Sequence, residues 1–117
     1  MENNLKEIVA SKNAMVKLGQ VVEATDKFFA DNAKTSDHTG TKTNNKAEMM
    51  DKMRGFVAGI KAVNGITLHH EALNGNVSFA EFTFDFDMKD GSKIYWHEIL
   101  RTVWQDGLII EEQYFTA

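Results

Sequence analysis

The sequence predicts an α+β fold in which N-terminal helices pack on a strongly curved antiparallel sheet. Two observations carry that reading. Apolar residues in the first half recur at helical spacing, whereas the second half is divided by Asn74-Gly75, Asp90-Gly91 and Asp106-Gly107, turn signals about sixteen residues apart. Between those pairs lie runs rich in β-branched and aromatic residues, the composition of strands.

From Leu5 to Phe29 the positions Leu5, Ile8, Met15, Leu18, Val22 and Phe29 form the stripe of an amphipathic helix, bent near Gly19 and ended by Asp31-Asn32. Gly19 serves either close backbone approach or no purpose beyond tolerance. A short strand fits within Ala33 to Gly40, followed by a polar loop over Gly40 to Asn44. Asn45 with Glu48 reads as a capping box, opening a helix whose buried stripe is Met50, Met53, Val57 and Ile60. Methionines at that spacing are core filler. Asn64-Gly65 then turns the chain into a four-strand antiparallel meander.

Taking each pair as a two-residue corner fixes the register. Around Asp106-Gly107, Gln105 faces Leu108, Trp104 faces Ile109, Val103 faces Ile110, Thr102 faces Glu111 and Arg101 faces Glu112. Across the sheet one row becomes His69, Ala80, Arg101 and Glu112; the next is Thr67, Phe82, Ile99 and Tyr114, with Phe84 beside His97 beyond it. The period of two then gives two faces. The first carries Phe82, Phe84, Phe86, Tyr95, Ile99, Val103, Ile110 and Tyr114 around His69, His97, Arg101 and Glu112, and its phenylalanine ladder places it under the helices. The second mixes Glu81, Asp85, Glu98, Glu111 and Gln113 with Phe79, Trp96, Leu100, Trp104, Ile109 and Phe115. Its apolar content predicts a homodimer through the outer sheet face, with Trp96, Leu100, Ile109 and Phe115 buried there.

Composition narrows the function. A length of 117 residues suits one domain, 1–117, able to bury roughly 65% of its unfolded surface. No apolar run approaches the ~18 residues that span a bilayer, and the polar start Met1-Glu2-Asn3-Asn4 does not read as a secretory signal, so a cytoplasmic protein without membrane contact is expected. A net charge of −4 without a basic cluster argues against nucleic acid. Zero cysteines remove disulfides and thiolate chemistry. The run His69-His70-Glu71 suggests a metal on paper, but strand neighbours point to opposite faces, so no metal is expected. With no phosphate-cradling loop and no dinucleotide fingerprint, no cofactor is expected either.

The order of elements, ending in Trp104-Gln105-Asp106-Gly107-Leu108-Ile109-Ile110-Glu111-Glu112-Gln113-Tyr114-Phe115, resembles the nuclear transport factor 2-like superfamily and, within it, the SnoaL-like group. The resemblance implies a cystatin-like cone, a curved sheet wrapped by helices, often dimeric through the outer sheet face. It spans polyketide cyclases, steroid isomerases, dehydratases and non-enzymatic binding modules, so function has to come from the site. Many SnoaL-like chains carry an acid soon after the terminal aromatic pair, where this one reads Thr116-Ala117; no catalytic residue is carried over.

The residues themselves nominate a site. Arg101 and Glu112, opposite each other on an apolar face, should pair, since a lone buried charge costs several kcal/mol. The pair is either structural or a device in which Arg101 orients a carboxylate or enolate and Glu112 is the base. His69 and His97 on the same face are candidate proton carriers. Tyr95, Tyr114, Phe82 and Phe84 complete a ligand-binding wall with Arg101. Asp37 and His38 follow the first helical segment, where a pocket rim is common in this fold, but they are expected to face solvent, the rim being the alternative. Two functions follow: a small-molecule-binding domain for a hydrophobic compound, or a cofactor-free lyase or isomerase, cyclase-like or ketosteroid-isomerase-like, using general acid-base catalysis on a hydrophobic carbonyl compound.

Overall fold

The computed structural model describes residues 2–117, with side chains from Asn4 onward. The predicted helical segment is two helices, α1 (Glu2–Lys17) and α2 (Val21–Phe28), parted by Gly19 at φ 81. The Gly19 N–H bonds Val16 O and the Gln20 N–H bonds Met15 O, each at 2.9 Å. That closure is the Schellman motif, which needs a left-handed residue. A Cβ on Gly19 would meet nothing nearer than Ile66 Cδ1 at 4.0 Å, so backbone conformation and not close packing requires the glycine.

Strand β1 (Phe29–Asp37) starts directly after α2. Asp31-Asn32 therefore lies inside a strand instead of ending the helix, exposed in the irregular stretch between the pairs Phe29↔Ile109 and Lys34↔Glu111. Pairing with a distant strand overrides the local stop signal. The polar loop contains the short β2 (Lys42–Thr43), tied to β1 by a 2.6 Å hydrogen bond between the Thr35 and Thr43 hydroxyls.

Helix α3 (Lys46–Ala58) opens on the expected cap: Asn45 Oδ1 accepts from Glu48 N at 2.9 Å, and Glu48 Oε1 reaches back to Asn44 N at 2.8 Å. Met49 and Met50 are buried, while Met53 and Phe56 pack against the core from its edge. Ile60 already belongs to β3 (Ile60–Asn74), which runs through Asn64-Gly65 without turning. The Asn64 amide instead donates to Asp85 and Asp87 on the neighbouring strand, at 3.2 and 3.1 Å.

Strands β4 (Val77–Met88), β5 (Lys93–Gln105) and β6 (Leu108–Thr116) complete the meander. Among the described residues the strands form one six-stranded sheet ordered β2-β1-β6-β5-β4-β3, antiparallel except where β1 lies beside β6. Three register shifts along β3 bend the sheet, as bulges do. The helices cover its concave face, where Phe82, Trp104 and Ile109 are almost wholly buried. The Trp104 indole donates to Ser78 Oγ at 2.9 Å and meets Phe28 of α2 edge-on at 6.1 Å.

The three corners differ in kind. Asp106 (φ 53) and Gly107 (φ 79) are both left-handed, the type I′ signature, and Trp104 pairs with Ile109 as expected. Immediately beyond, Ile110 bulges, so Val103 faces Glu111, Thr102 faces Glu112 and Arg101 faces Gln113. At Asp90-Gly91 the loop holds three residues, with Met88 N bonded to Ser92 O, Gly91 N bonded to Met88 O, and Gly91 at φ 89. This is a type I turn closed by a glycine bulge. The extra residue pairs Phe84 with Trp96 and Phe82 with Glu98, where the two-residue corner predicted His97 and Ile99. The third corner is Gly75-Asn76 and not Asn74-Gly75, since Asn74 pairs with Val77.

These offsets turn β5 over. Leu100, Thr102 and Trp104 face the helices, while Tyr95, His97, Ile99, Arg101 and Val103 take the outer face. The dimer patch predicted from sequence is corrected accordingly: Leu100 (5% exposed) and Ile109 (0%) are core residues. Trp96 lies on the helix side and lines the cavity, so of the four predicted patch residues only Phe115 remains on the outer face, where Phe79 and Tyr95 are the other large exposed aromatic residues.

Candidate functional site

A cavity of about 690 Å³ lies between the concave face and the helices. Aliphatic residues line most of it: Val16 of α1, Val21 and Ala24 of α2, and Met49, Met53 and Val57 of α3. The sheet contributes Phe84, Phe86 and Leu100, and Trp96 stacks on Phe56 at 5.7 Å near the solvent. Such a wall suits a ligand that is mostly hydrocarbon.

Polar groups converge at two places. In the deeper one, Glu112 (3% exposed) meets the Lys12 ammonium of α1 (4% exposed) at 2.7 Å. Its carboxylate also accepts from Thr102 Oγ1 and from the Tyr114 hydroxyl, each at 2.7 Å. Burial pushes the Glu112 carboxyl up, but the Lys12 charge and the three hydrogen bonds outweigh it and hold the group below the usual range. Burial and the adjoining carboxylate drive the Tyr114 hydroxyl well above its ordinary value. Glu112 is thus an anion with every partner in place.

The second place lies nearer the opening, where Asp37, His38, Lys52 and Glu98 line the wall. Asp37 accepts from Thr39 N at 2.9 Å, from the Thr39 hydroxyl, and from Thr41 N at 3.1 Å, with Lys52 Nζ at 3.7 Å. Burial raises its carboxyl, and those bonds and the Lys52 charge bring it below the usual value. Lys52 also sits over the Tyr114 ring, 5.7 Å from its centroid, joining the two places. Glu98 differs from both acids. Half-buried on β5, it has no hydrogen-bond partner among the described residues, and burial raises its carboxyl above the usual range.

The structure brings together only part of the site expected from sequence. Glu112, Tyr114 and Phe84 border the cavity, and Phe82 lies beneath it, stacked on Phe84 at 5.4 Å. His69, His97, Tyr95 and Arg101 do not reach it, because β5 is turned over and His69 sits at a bulge in β3. The His69 ring bonds Thr83 Oγ1 at 2.7 Å and His97 bonds Glu81 at 2.6 Å. Tyr95 is 66% exposed, and Arg101 binds Gln113 at 2.8 Å and Glu111 at 3.3 Å. The Arg101–Glu112 pair does not exist; the partner of Glu112 is Lys12. Asp37 and His38, expected from the sequence to face solvent, instead line the cavity.

Lys12, Lys52 and Glu98 were not among the residues nominated from sequence. Lys12 had a signal. It stands four residues after Ile8 and three before Met15, a charge within an apolar stripe, and such a charge needs a buried partner. Among the described residues no three His, Asp or Glu side chains are grouped to hold a metal ion, and no helix is long and apolar enough to cross a membrane.

The fold has many solved relatives. A SnoaL-like polyketide cyclase assignment belongs to a Mesorhizobium loti protein that superposes with a TM-score of 0.83 at 21% identity, covering 93% of this chain and 96% of that one. A Catenulispora acidiphila protein of ketosteroid isomerase-like fold, in complex with trimethylamine, gives 0.77 at 18% identity over 95% and 85%. An LEH-like epoxide hydrolase of M. tuberculosis gives 0.78 at 10% identity over 98% and 84%. At such identities the likeness is one of fold. No curated protein matches the chain. The family model for the SnoaL-like domain matches residues 4–116, the whole meander and the helices that cover it, and the chain belongs to that family.

Proposed function

We propose that the chain binds a small, largely apolar molecule bearing a carbonyl or similar oxygen. One observation supports this most: an apolar cavity holds a carboxyl, Glu98, that the protein itself does not bond. Among the described residues every buried side-chain polar atom has a partner, whereas the half-buried Glu98 carboxyl is left open toward the cavity and so is suited to a ligand. Neighbours named as a polyketide cyclase and an epoxide hydrolase fit a cavity for small organic compounds. Fluorescence titration with the neutral dye Nile red provides the test. Wild type should bind, and Met53→Trp, which fills the cavity from α3, should bind at least about tenfold more weakly, a difference of about 1.4 kcal/mol. Equal binding by the two proteins would place the dye elsewhere and end this reading.

A second reading, a cofactor-free isomerase or lyase, rests on the opposite displacement of two carboxyls in one cavity. Environments that separate two acids in this way are those that assign a proton donor and an acceptor. We further propose a homodimer through the outer sheet face, on the strength of exposed Phe79, Tyr95 and Phe115 beside Arg101 and Glu111, and a cytoplasmic location, with which the cysteine-free composition agrees. Sedimentation should find dimers that Phe115→Glu dissociates; a wild type monomeric at micromolar concentration rules the dimer out.

A further inference from the structure

Glu98 occupies an unusual position. It lies on the concave face of β5, opposite Phe82 of β4 and next to the wall residues Trp96 and Leu100. The charged and titratable groups that act on it come from three directions. Asp37 and His38 approach from the end of β1 and Lys52 from α3, while the Tyr114 hydroxyl of β6 feels its charge from the floor. Lys12 and Glu112 lie deeper and neutralise each other. Lys52 is divided between Asp37 and the Tyr114 ring, and although it and His38 both favour a charge on Glu98, neither lies within ion-pair distance of it.

An unpaired carboxyl in such a place has two ways to be satisfied. Ionised, it requires a cation or several donors; neutral, it requires a single acceptor. Burial among apolar walls opposes the ionised form most, His38 and Lys52 favour that form, the carboxylate of Asp37 opposes it, and the balance lies with the neutral acid.

We propose that Glu98 is the ligand-facing acid of the cavity: in its protonated form it donates a hydrogen bond to an oxygen of the bound molecule, a carbonyl or carboxylate. This rests on the binding reading above and adds the group that recognises the ligand oxygen, the protonation on which that recognition depends, and the extension to organic anions. The cavity then prefers oxygen acceptors and organic anions, and loses that preference when Glu98 ionises. Removal of the proton replaces a donor by a negative charge facing the same oxygen.

Two fluorescent probes test this, the neutral Nile red and the anionic anilinonaphthalene sulfonate, titrated from pH 5 to 8. Sulfonate binding to wild type should weaken with rising pH, approaching about tenfold per unit once Glu98 ionises. Nile red carries a carbonyl that can accept the same hydrogen bond but no charge for the ionised acid to repel, so its affinity should fall much less steeply than that of the sulfonate. Glu98→Gln keeps a donor and cannot ionise, so its sulfonate affinity should match wild type at low pH and stay level. Imidazoles in general shed a proton between about pH 5 and 8 and would give the same trend; His38→Asn should therefore retain the wild-type slope. A level wild-type profile, a slope that survives in Glu98→Gln, or a slope lost in His38→Asn overturns the assignment. Nile red bound without sulfonate at any pH also overturns it while leaving the binding reading intact. If neither probe binds, or if Met53→Trp displaces neither, the binding reading itself falls and takes this inference with it.

Discussion

The two ends of the cavity carry the same side chain in opposite circumstances. At the closed end Glu112 has a cation and two hydroxyls within 2.7 Å; at the open end Glu98 has no partner among the described residues. A satisfied network of this kind fixes α1 on the sheet, because Lys12 cannot leave without exposing a buried charge. The unsatisfied acid fixes nothing. It is free to meet whatever enters, and the contrast separates scaffold from site within a single cavity.

Breaking the closed end should have the larger consequence. Lys12→Met removes the cation and leaves the Glu112 carboxylate buried with only Thr102 and Tyr114, a change expected to cost about 3–5 kcal/mol. The double variant Lys12→Met/Glu112→Leu leaves no charge stranded and should recover most of that loss. Urea unfolding of both proteins measures the asymmetry. Equal midpoints for wild type and Lys12→Met would mean that the ion pair does not hold α1, and the contrast between the two ends would fail.

The same contrast explains which parts were legible. Asp106-Gly107 was readable because both corner residues are of types that accept positive φ, and it forms the turn expected of it. Asp90-Gly91 has the same letters but sits one position later in a three-residue loop, where only the glycine is left-handed. A dipeptide does not reveal how many residues the loop holds, and one residue reverses a strand's faces. The Ile110 bulge then reverses β6 relative to β5. Two offsets cancel, so Glu112 and Tyr114 of β6 point inward as expected while Arg101, His97 and Tyr95 of β5 do not. Side-chain alternation on β5 carried the correction, since Trp96, Leu100 and Trp104 make a more apolar face than Tyr95, His97 and Arg101. Glu98 shares that apolar face, which is why it enters the cavity.

A smaller effect sharpens the comparison, because the two acids should give stability opposite dependences on pH. Glu112 is held below the usual glutamate value of 4.5, so its contribution is present above that value and is lost as pH falls through the folded-state value. Glu98 is raised above 4.5, so its contribution is complete below 4.5 and is lost as pH rises through its folded-state value. The variants isolate each limb. Urea midpoints of Glu98→Gln relative to wild type should climb between pH 4.5 and 8, since only wild type must ionise an acid that burial disfavours. For Glu112→Gln the deficit relative to wild type should be largest near neutrality and shrink below pH 4.5, where wild type begins to lose the ion pair as well. Taking differences cancels Asp37, whose lowered carboxyl contributes equally to each protein. If the Glu98→Gln difference is level across that range, Glu98 is fully hydrated at the opening, and the two ends of the cavity are not the opposites that their hydrogen bonds describe.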